Sequence, residues 1–211
     1  MSSTSTTTST STSTSTSIST TSTSTSTSTS VSLTSTSTSG PVEVTYTPDD
    51  NDCTGWKGWD SSNDPNTLIM DGSETELTGG ERTTISTDDA NAVSYHAEAT
   101  TFAGIRLMFT PAQSQGSIDH LTALVKGYGT AGVAGTGGYL YVWDDELSDW
   151  ELIDSDAGSS KESYEWEIAA DIPDYFNASN EIFFLLISQN SHPSNGSDIY
   201  LYYAELGVVV E

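Results

Sequence analysis

From residue 41 onward the sequence predicts an all-β domain, a sandwich or a barrel. Three observations carry this. Short runs of apolar, β-branched and aromatic residues alternate with a period of two; Gly, Asp, Asn, Ser and Pro punctuate them; and no stretch keeps the 3.6-residue periodicity of an amphipathic helix. Residues 1–40 are different in kind, almost pure Ser and Thr without a single charge, so the chain divides into a repeat segment (1–40) and a domain (41–211).

Val42 to Tyr46 alternates, as does Val93 to Ala97, where His96 falls on the polar side. Ile105 to Thr110, Leu121 to Lys126, Tyr139 to Trp143, Trp150 to Ile153, Tyr164 to Ile168, Ile182 to Gln189 and Ile199 to Val210 follow as further strands. Tyr139 to Trp143 and Trp150 to Ile153, joined by Asp144 to Asp149, form the strongest hairpin signal. Ile182 to Ile187 is apolar at every position and so belongs in the middle of a sheet, covered on both faces. It is also the longest apolar run, far short of the roughly 18 residues needed to span a bilayer, so no membrane insertion is expected.

In the repeat segment Ser2–Ser39, two descriptions stay open. One is a low-complexity stalk, with too little apolar surface to offset the entropy of ordering. The other is a strand assembly, because a period of two puts Thr on one face and Ser on the other. Ile18, Val31 and Leu33 continue the Thr runs. A lone strand leaves its backbone donors and acceptors unpaired, so identical chains would have to supply partners, and a homo-oligomer assembled through the stalk is expected.

The chain holds 30 Asp and Glu against 5 Lys and Arg, a formal net charge of −25 over its 211 residues. Nucleic acid is excluded as a partner, since a phosphate backbone needs a basic face. Self-repulsion on this scale weakens folding in dilute buffer and is screened in strong salt, where the Debye length falls to about 3 Å at 1 M. The composition therefore fits a protein of a halophilic, archaeal source; an ordinary acidic extracellular domain is the other reading. Cys53, the single cysteine, excludes an internal disulfide framework and reads as a small inert thiol.

Signals for chemistry are sparse, and no enzyme is expected. Gly127 to Gly132 matches G-x-G-x-x-G, but a dinucleotide site needs a helix after it, and here Gly135, Gly137, Gly138 and another strand follow; a flexible loop is the expectation. The three histidines are scattered. Asp49, Asp50 and Asp52, followed by Asp60, Asn63 and Asp64, form the densest group of oxygen ligands, and calcium is the ion such a group would take. Their spacing does not match an EF-hand, so a solvated acidic loop stays open beside it.

Aromatic residues offer the better handle, because a ring gives a sugar an apolar stacking face while its polar tip stays wet. Trp56, Trp59, Tyr128, Trp143, Trp150 and Tyr175 are the glycan-contact candidates. Core packing is the competing reading for Trp143 and Trp150, and also for Trp56 and Trp59, which flank Lys57 and Gly58 in what reads as a Gly- and Asp-rich loop.

The runs "LYVWDDELSDWELI", "SNEIFFLLISQN" and "DIYLYYAELGVVV" together resemble the second half of jelly-roll domains of the galactose-binding, discoidin-like kind, over about residues 90–211. The resemblance implies a jelly-roll β-sandwich that binds carbohydrate through loops at one end or packs as an accessory module. Met1-Ser2-Ser3-Thr4 leads straight into the repeat without a secretory leader, while two N-glycosylation acceptor patterns, at Asn177 and Asn195, look extracellular. A protein that faces outward without such a leader is expected to leave the cell inside a particle. The whole then resembles a surface turret, spike or tail-fibre protein of a haloarchaeal tailed virus, a capsid decoration on the virion surface for host attachment, with other virion proteins and host glycans or S-layer as partners. The alternatives are a cell-surface or appendage subunit and a carbohydrate-binding module.

Raising salt from near zero to molar concentration is expected to raise the midpoint of thermal unfolding steeply. A domain already fully folded in low salt with chelator present would contradict the brine-adapted reading.

Overall fold

The computed structural model describes residues 40–49, 51–64, 72–131, 137–158 and 160–211. The Ser/Thr repeat, with the expected stalk assembly, lies outside the described residues, and so does Asp50.

Eleven strands form two antiparallel sheets among the described residues: β1 (Val42–Tyr46), β2 (Cys53–Asp60), β3 (Gly72–Glu76), β4 (Val93–Ala97), β5 (Phe102–Phe109), β6 (Ile118–Thr130), β7 (Gly138–Asp144), β8 (Asp149–Asp156), β9 (Glu162–Ile168), β10 (Ile182–Ser188) and β11 (Ser197–Val210). The first sheet runs β1-β11-β6-β9, with β4 sharing β11's edge with β1; the second runs β3-β2-β5-β10-β7-β8. From β4 onward the antiparallel pairs nest, β4 with β11, β5 with β10, β6 with β9 and β7 with β8. This is the wrapping of a jelly roll, and the fold class is the one the sequence predicts.

The core follows from alternation. Ile199, Leu201, Ala204, Leu206 and Val208 of β11 are all fully buried and face Leu107, Phe109, Phe184 and Leu186 across the sandwich. Ring contacts tighten it, with Phe184 edge-on to Phe109 at 6.2 Å and to Trp166 at 5.6 Å. β10 lies between β5 and β7, and its outward residues Leu185 and Ile187 are buried in a second cluster with Tyr141 and Trp150. That is why its apolar run shows no alternation. Cys53 is buried.

Four elements depart from the sequence reading. Gly127 to Thr130 are not a flexible loop but the end of β6; the two sheets approach so closely there that a Cβ on Gly127 would lie 2.5 Å from Leu186 Cδ2, and one on Gly129 2.9 Å from Ser188 Cα. Glycine here serves a close approach, which periodicity cannot reveal. The Trp56–Trp59 segment, read as a loop, is likewise part of a strand, β2, and β3 beside it is a further strand that the sequence pattern does not show. A short helix, α1 (Gly79–Ile85), was not expected either; a capping box between Thr78 and Glu81 starts it, and Ile85 anchors it in the core.

Leu206→Ala should cost about 2–5 kcal/mol of unfolding free energy, the usual range for a fully buried leucine. Leu147→Ala, at a residue 74% exposed, should cost almost nothing; equal losses in denaturant titrations would contradict the placement of the core.

Candidate ligand-binding face

The six aromatic candidates fall in four places. Trp56 and Trp59 lie on β2, and an odd spacing of three along a strand sends them to opposite faces. Trp59 packs against the core. Trp56 looks outward from the second sheet beneath the Arg106 guanidinium, 4.8 Å from its ring, and Arg106 pairs with Glu74 at 2.7 Å.

Trp143 and Trp150 pack edge to face at 5.4 Å beside the β7–β8 turn. Trp150 is only 8% exposed, and Tyr175, 9% exposed, donates from its hydroxyl to Glu151 Oε2 at 2.7 Å. These two line a hollow of about 550 Å³ whose other walls are mainly carboxylates, among them Asp144, Glu146, Asp149, Asp171 and Asp174. The negative charge of Asp174 pushes the Glu146 carboxyl above its ordinary pKa. With its rings used in packing and its rim acidic, this hollow offers a sugar few stacking faces and repels anions.

The oxygen ligands proposed for calcium do not gather. Asp49 and Asp52 precede β2, while Asp60 ends it and Asn63 and Asp64 follow, and a strand of that length sets the two groups roughly 20 Å or more apart. Asp49 accepts from Thr47 Oγ1 at 2.6 Å; Asp60 is fully buried and accepts from the Ser62 amide at 2.9 Å; Asn63 Nδ2 donates to the Gln189 carbonyl at 2.6 Å; and the Asp64 amide donates to Ser62 Oγ at 3.0 Å. Among the described residues no group of three or more His, Cys, Asp or Glu side chains is placed to hold a metal. Among the described residues these candidates do not come together as one calcium site.

Tyr128 is the candidate that leads to a larger arrangement. It points outward from β6 in the first sheet, where Tyr200 is its cross-strand partner on β11. Their rings stack at 4.8 Å and 15°, and Tyr202 stacks on Tyr128 at 6.1 Å and 21°. A bulge between Leu201 and Tyr203 leaves Tyr202 as the extra residue. Because Leu201 and Ala204 are both fully buried, Tyr202 and Tyr203 both face outward. Four half-buried tyrosines thus share one face.

Polar groups frame the row. At one end Asp198 accepts from Thr130 Oγ1 at 3.2 Å and meets His96 Nδ1 at 2.9 Å. At the other, the Tyr203 hydroxyl donates to Glu205, beside a hollow of about 280 Å³ that Glu165, Glu167 and Thr122 also line. The Lys161 ammonium stands 5.3 Å from the Tyr202 ring and that of Lys126 5.7 Å from Tyr203. Both lysines bind Asp88, which holds its carboxyl below the usual range, the Lys126 hydrogen bond being the largest cause. From Asp198 to Glu205 the face runs roughly 23 Å along β11 at about 3.3 Å per residue.

Sequence reasoning found Tyr128 but missed Tyr200, Tyr202 and Tyr203. Their alternation in "IYLYYAEL" was available as a signal; the bulge that turns Tyr203 outward was not.

Burial first, then the hydrogen bond to Tyr202 and the neighbouring Tyr200 and Asp198, push Tyr128 from the usual 10 up to about 12. A neutral acid whose folded pKa is raised stabilises the fold fully below the unfolded pKa and loses that contribution as pH climbs through the folded value. Stability should therefore fall between about pH 10 and 12, with Tyr128 among several buried or half-buried tyrosines whose phenolate absorbance emerges late, and a Tyr128→Phe variant should lose one tyrosine's share of that late absorbance. Ionisation of all tyrosines near pH 10 would contradict the packed row.

Comparisons with known proteins give folds and one family. No curated protein matches the sequence. Among solved structures, the chain is similar to a xylan-binding module, CBM15, at 14% identity and a TM-score of 0.39, covering 81% of this chain and 97% of that one. It is also similar to the family 11 carbohydrate-binding module of a Clostridium thermocellum cellulosomal cellulase, at 8% identity, TM-score 0.29, 81% of this chain and 88% of that one. A third is the structure of infectious bursal disease virus, Gx strain, at 9% identity, TM-score 0.32, 81% and 33%. These values carry no argument about ligand or reaction. A family model described as "Uncharacterized protein, C-terminal domain" matches residues 51–210, most of the chain, and the protein belongs to that family, AF_1625_C.

Proposed function

We propose that the domain is a non-catalytic carbohydrate-binding module and that an extended, neutral glycan lies along the tyrosine face of the first sheet. The observation that carries this reading is the row Tyr200–Tyr128–Tyr202, stacked at 4.8 and 6.1 Å and continued by Tyr203 through the bulge. Rings already locked against each other lose little conformational freedom when a ligand arrives, which favours recognition by rigid aromatic side chains. Phenol hydroxyls donate to sugar oxygens, and Asp198 and Glu205 accept from sugar hydroxyls.

The ligand's charge follows from the frame. Lys126 and Lys161 are both committed to Asp88, while Asp198, Glu165, Glu167 and Glu205 add negative charge. A uronate or sulfated chain would meet repulsion there, where among the described residues both lysines of the face are already paired with Asp88. The particle-surface or cell-surface setting expected from the sequence is where such a head would act, and stalk-borne copies would add avidity through effective concentration.

Titration calorimetry at high salt against neutral and uronate-bearing polysaccharides tests the reading. Binding should be confined to the neutral ones, and Tyr200→Ala and Tyr202→Ala should each weaken it about two- to tenfold, the loss of roughly one aromatic contact of 0.5–1.5 kcal/mol. Trp56→Ala should leave it unchanged. Unaltered affinity in both tyrosine variants, or preference for the acidic polymer, would overturn it.

A further inference from the structure

The sequence holds two Asn-x-Ser acceptor patterns, Asn177-Ala178-Ser179 and Asn195-Gly196-Ser197, and the fold treats them in opposite ways. Asn177 is spent on structure. Its Nδ2 donates to Glu181 Oε2 at 2.7 Å, and its Oδ1 accepts from the Ser179 amide at 2.9 Å and the Glu181 amide at 3.0 Å. Its backbone amide also donates to the Glu181 carbonyl at 3.1 Å. A carboxamide held on both atoms by residues two and four positions away is a local cap, which closes with its own turn before the strands dock, rather than a presented nucleophile.

Asn195 sits at the tip of the turn between β10 and β11, exposed. The turn is held by its backbone: His192 and Gly196 exchange amide-to-carbonyl bonds of 2.9 and 3.0 Å, and the Asn195 amide donates to His192 Nδ1 at 3.2 Å. Among the described residues the Asn195 carboxamide has no hydrogen-bond partner. It borders a shallow hollow of about 550 Å³ with His96, Glu98, Ala99 and Ser194. Structure thus explains Gly196, whose φ of +65° and contact with the Ala97 carbonyl exclude a side chain, but gives the Asn195 side chain no task.

Ser197 supplies the second half of the pattern, and it is fully buried. Its hydroxyl accepts from the Ala103 amide at 2.7 Å and from Ser188 Oγ at 2.9 Å, and donates to the Thr101 carbonyl at 3.0 Å. One donor and two lone pairs are all that a hydroxyl has, so nothing is left for an enzyme to read.

We propose that Asn195, and not Asn177, is an N-glycosylation site, and that it accepts its glycan only before β11 docks. The co-substrate is a lipid-phosphate-linked oligosaccharide, and the catalyst is a transferase that reads Asn-x-Ser/Thr. Asn195 Nδ2 forms a bond to C1 of the first sugar as the C1–O bond breaks. That electron pair leaves on the lipid phosphate, and one Nδ2 proton passes to the transferase's base. Folding then seals the Ser197 hydroxyl and leaves the glycan on the rim, beside the His96–Asp198 end of the first sheet. The proposal stands on the turn geometry and does not depend on what the tyrosine face binds.

The test is synthesis of the full chain, behind a cleavable leader, into a compartment that holds such a transferase, followed by peptide mapping by mass spectrometry. The glycan should appear on the Asn195 peptide and not on the Asn177 peptide; Asn195→Gln should abolish it, and Asn177→Gln should leave it intact. In a second arm, purified folded chain without glycan is mixed with the transferase and its lipid-linked donor, and the same chain is presented unfolded in parallel. Transfer to Asn195 should occur only in the unfolded sample. A glycan on Asn177, none on Asn195 in the first arm, or equal transfer to folded and unfolded chains would each overturn the proposal.

Discussion

The rest of the molecule depends on how β11 is paired. Its 14 residues are bonded along one edge to β6 and along the other to β4 and then β1. A slip of one residue would turn every inward side chain outward, exchanging Ile199, Leu201 and Leu206 for charged and phenolic groups, so the register is strongly specified. Ser197 fixes one end by tying β11 to β5 through the Ala103 amide and to β10 through Ser188. The bulge at Tyr202 changes the phase once, in the middle of the strand. Core and tyrosine face are therefore two sides of the same ladder, and neither can shift without the other.

Charge shapes the molecule at a second level. Lys57 pairs with Glu81, Arg106 with Glu74, and Lys126 and Lys161 share Asp88, while Arg82 donates to the Cys53 carbonyl at 2.9 Å. Cations this scarce are used as clasps: the first and last tie α1 to β2, and Asp88 ties the segment before β4 to β6 and β9. Among the described residues most of the other carboxylates, the buried Asp60 apart, stay at the surface, where they favour hydration and reject anionic ligands. Partly exposed pairs of this kind contribute little each, so the fold rests on the sandwich core.

Much of the fold was legible because alternation is a direct image of a half-buried strand. Val42–Tyr46 and Val93–Ala97 have the bounds that their patterns predict, and the all-apolar run of β10 marks a strand covered on both sides. What escaped did so for physical reasons. β2 buries Gly55 and Asp60, neither of them apolar and the two on opposite faces, so the strand shows no clean apolar alternation in sequence. α1 is seven residues long, too short to show a period, although its capping box was written in Thr78 and Glu81. Gly127 and Gly129 read as a loop because glycine marks close approach as well as flexibility. The aromatic candidates were chosen by type alone, and type cannot separate Trp59, in the core, from Tyr128, on the face.

The measurement that bears most directly on the central claim is a nuclear magnetic resonance titration of the full chain with a neutral oligosaccharide at high salt, following backbone and tyrosine ring signals residue by residue. Shifts concentrated on Tyr128, Tyr200, Tyr202, Tyr203 and their neighbours Thr130 and Asp198 are the predicted result. Shifts confined to the acidic hollow of Trp150 and Tyr175, or to Trp56 on the opposite sheet, would contradict it.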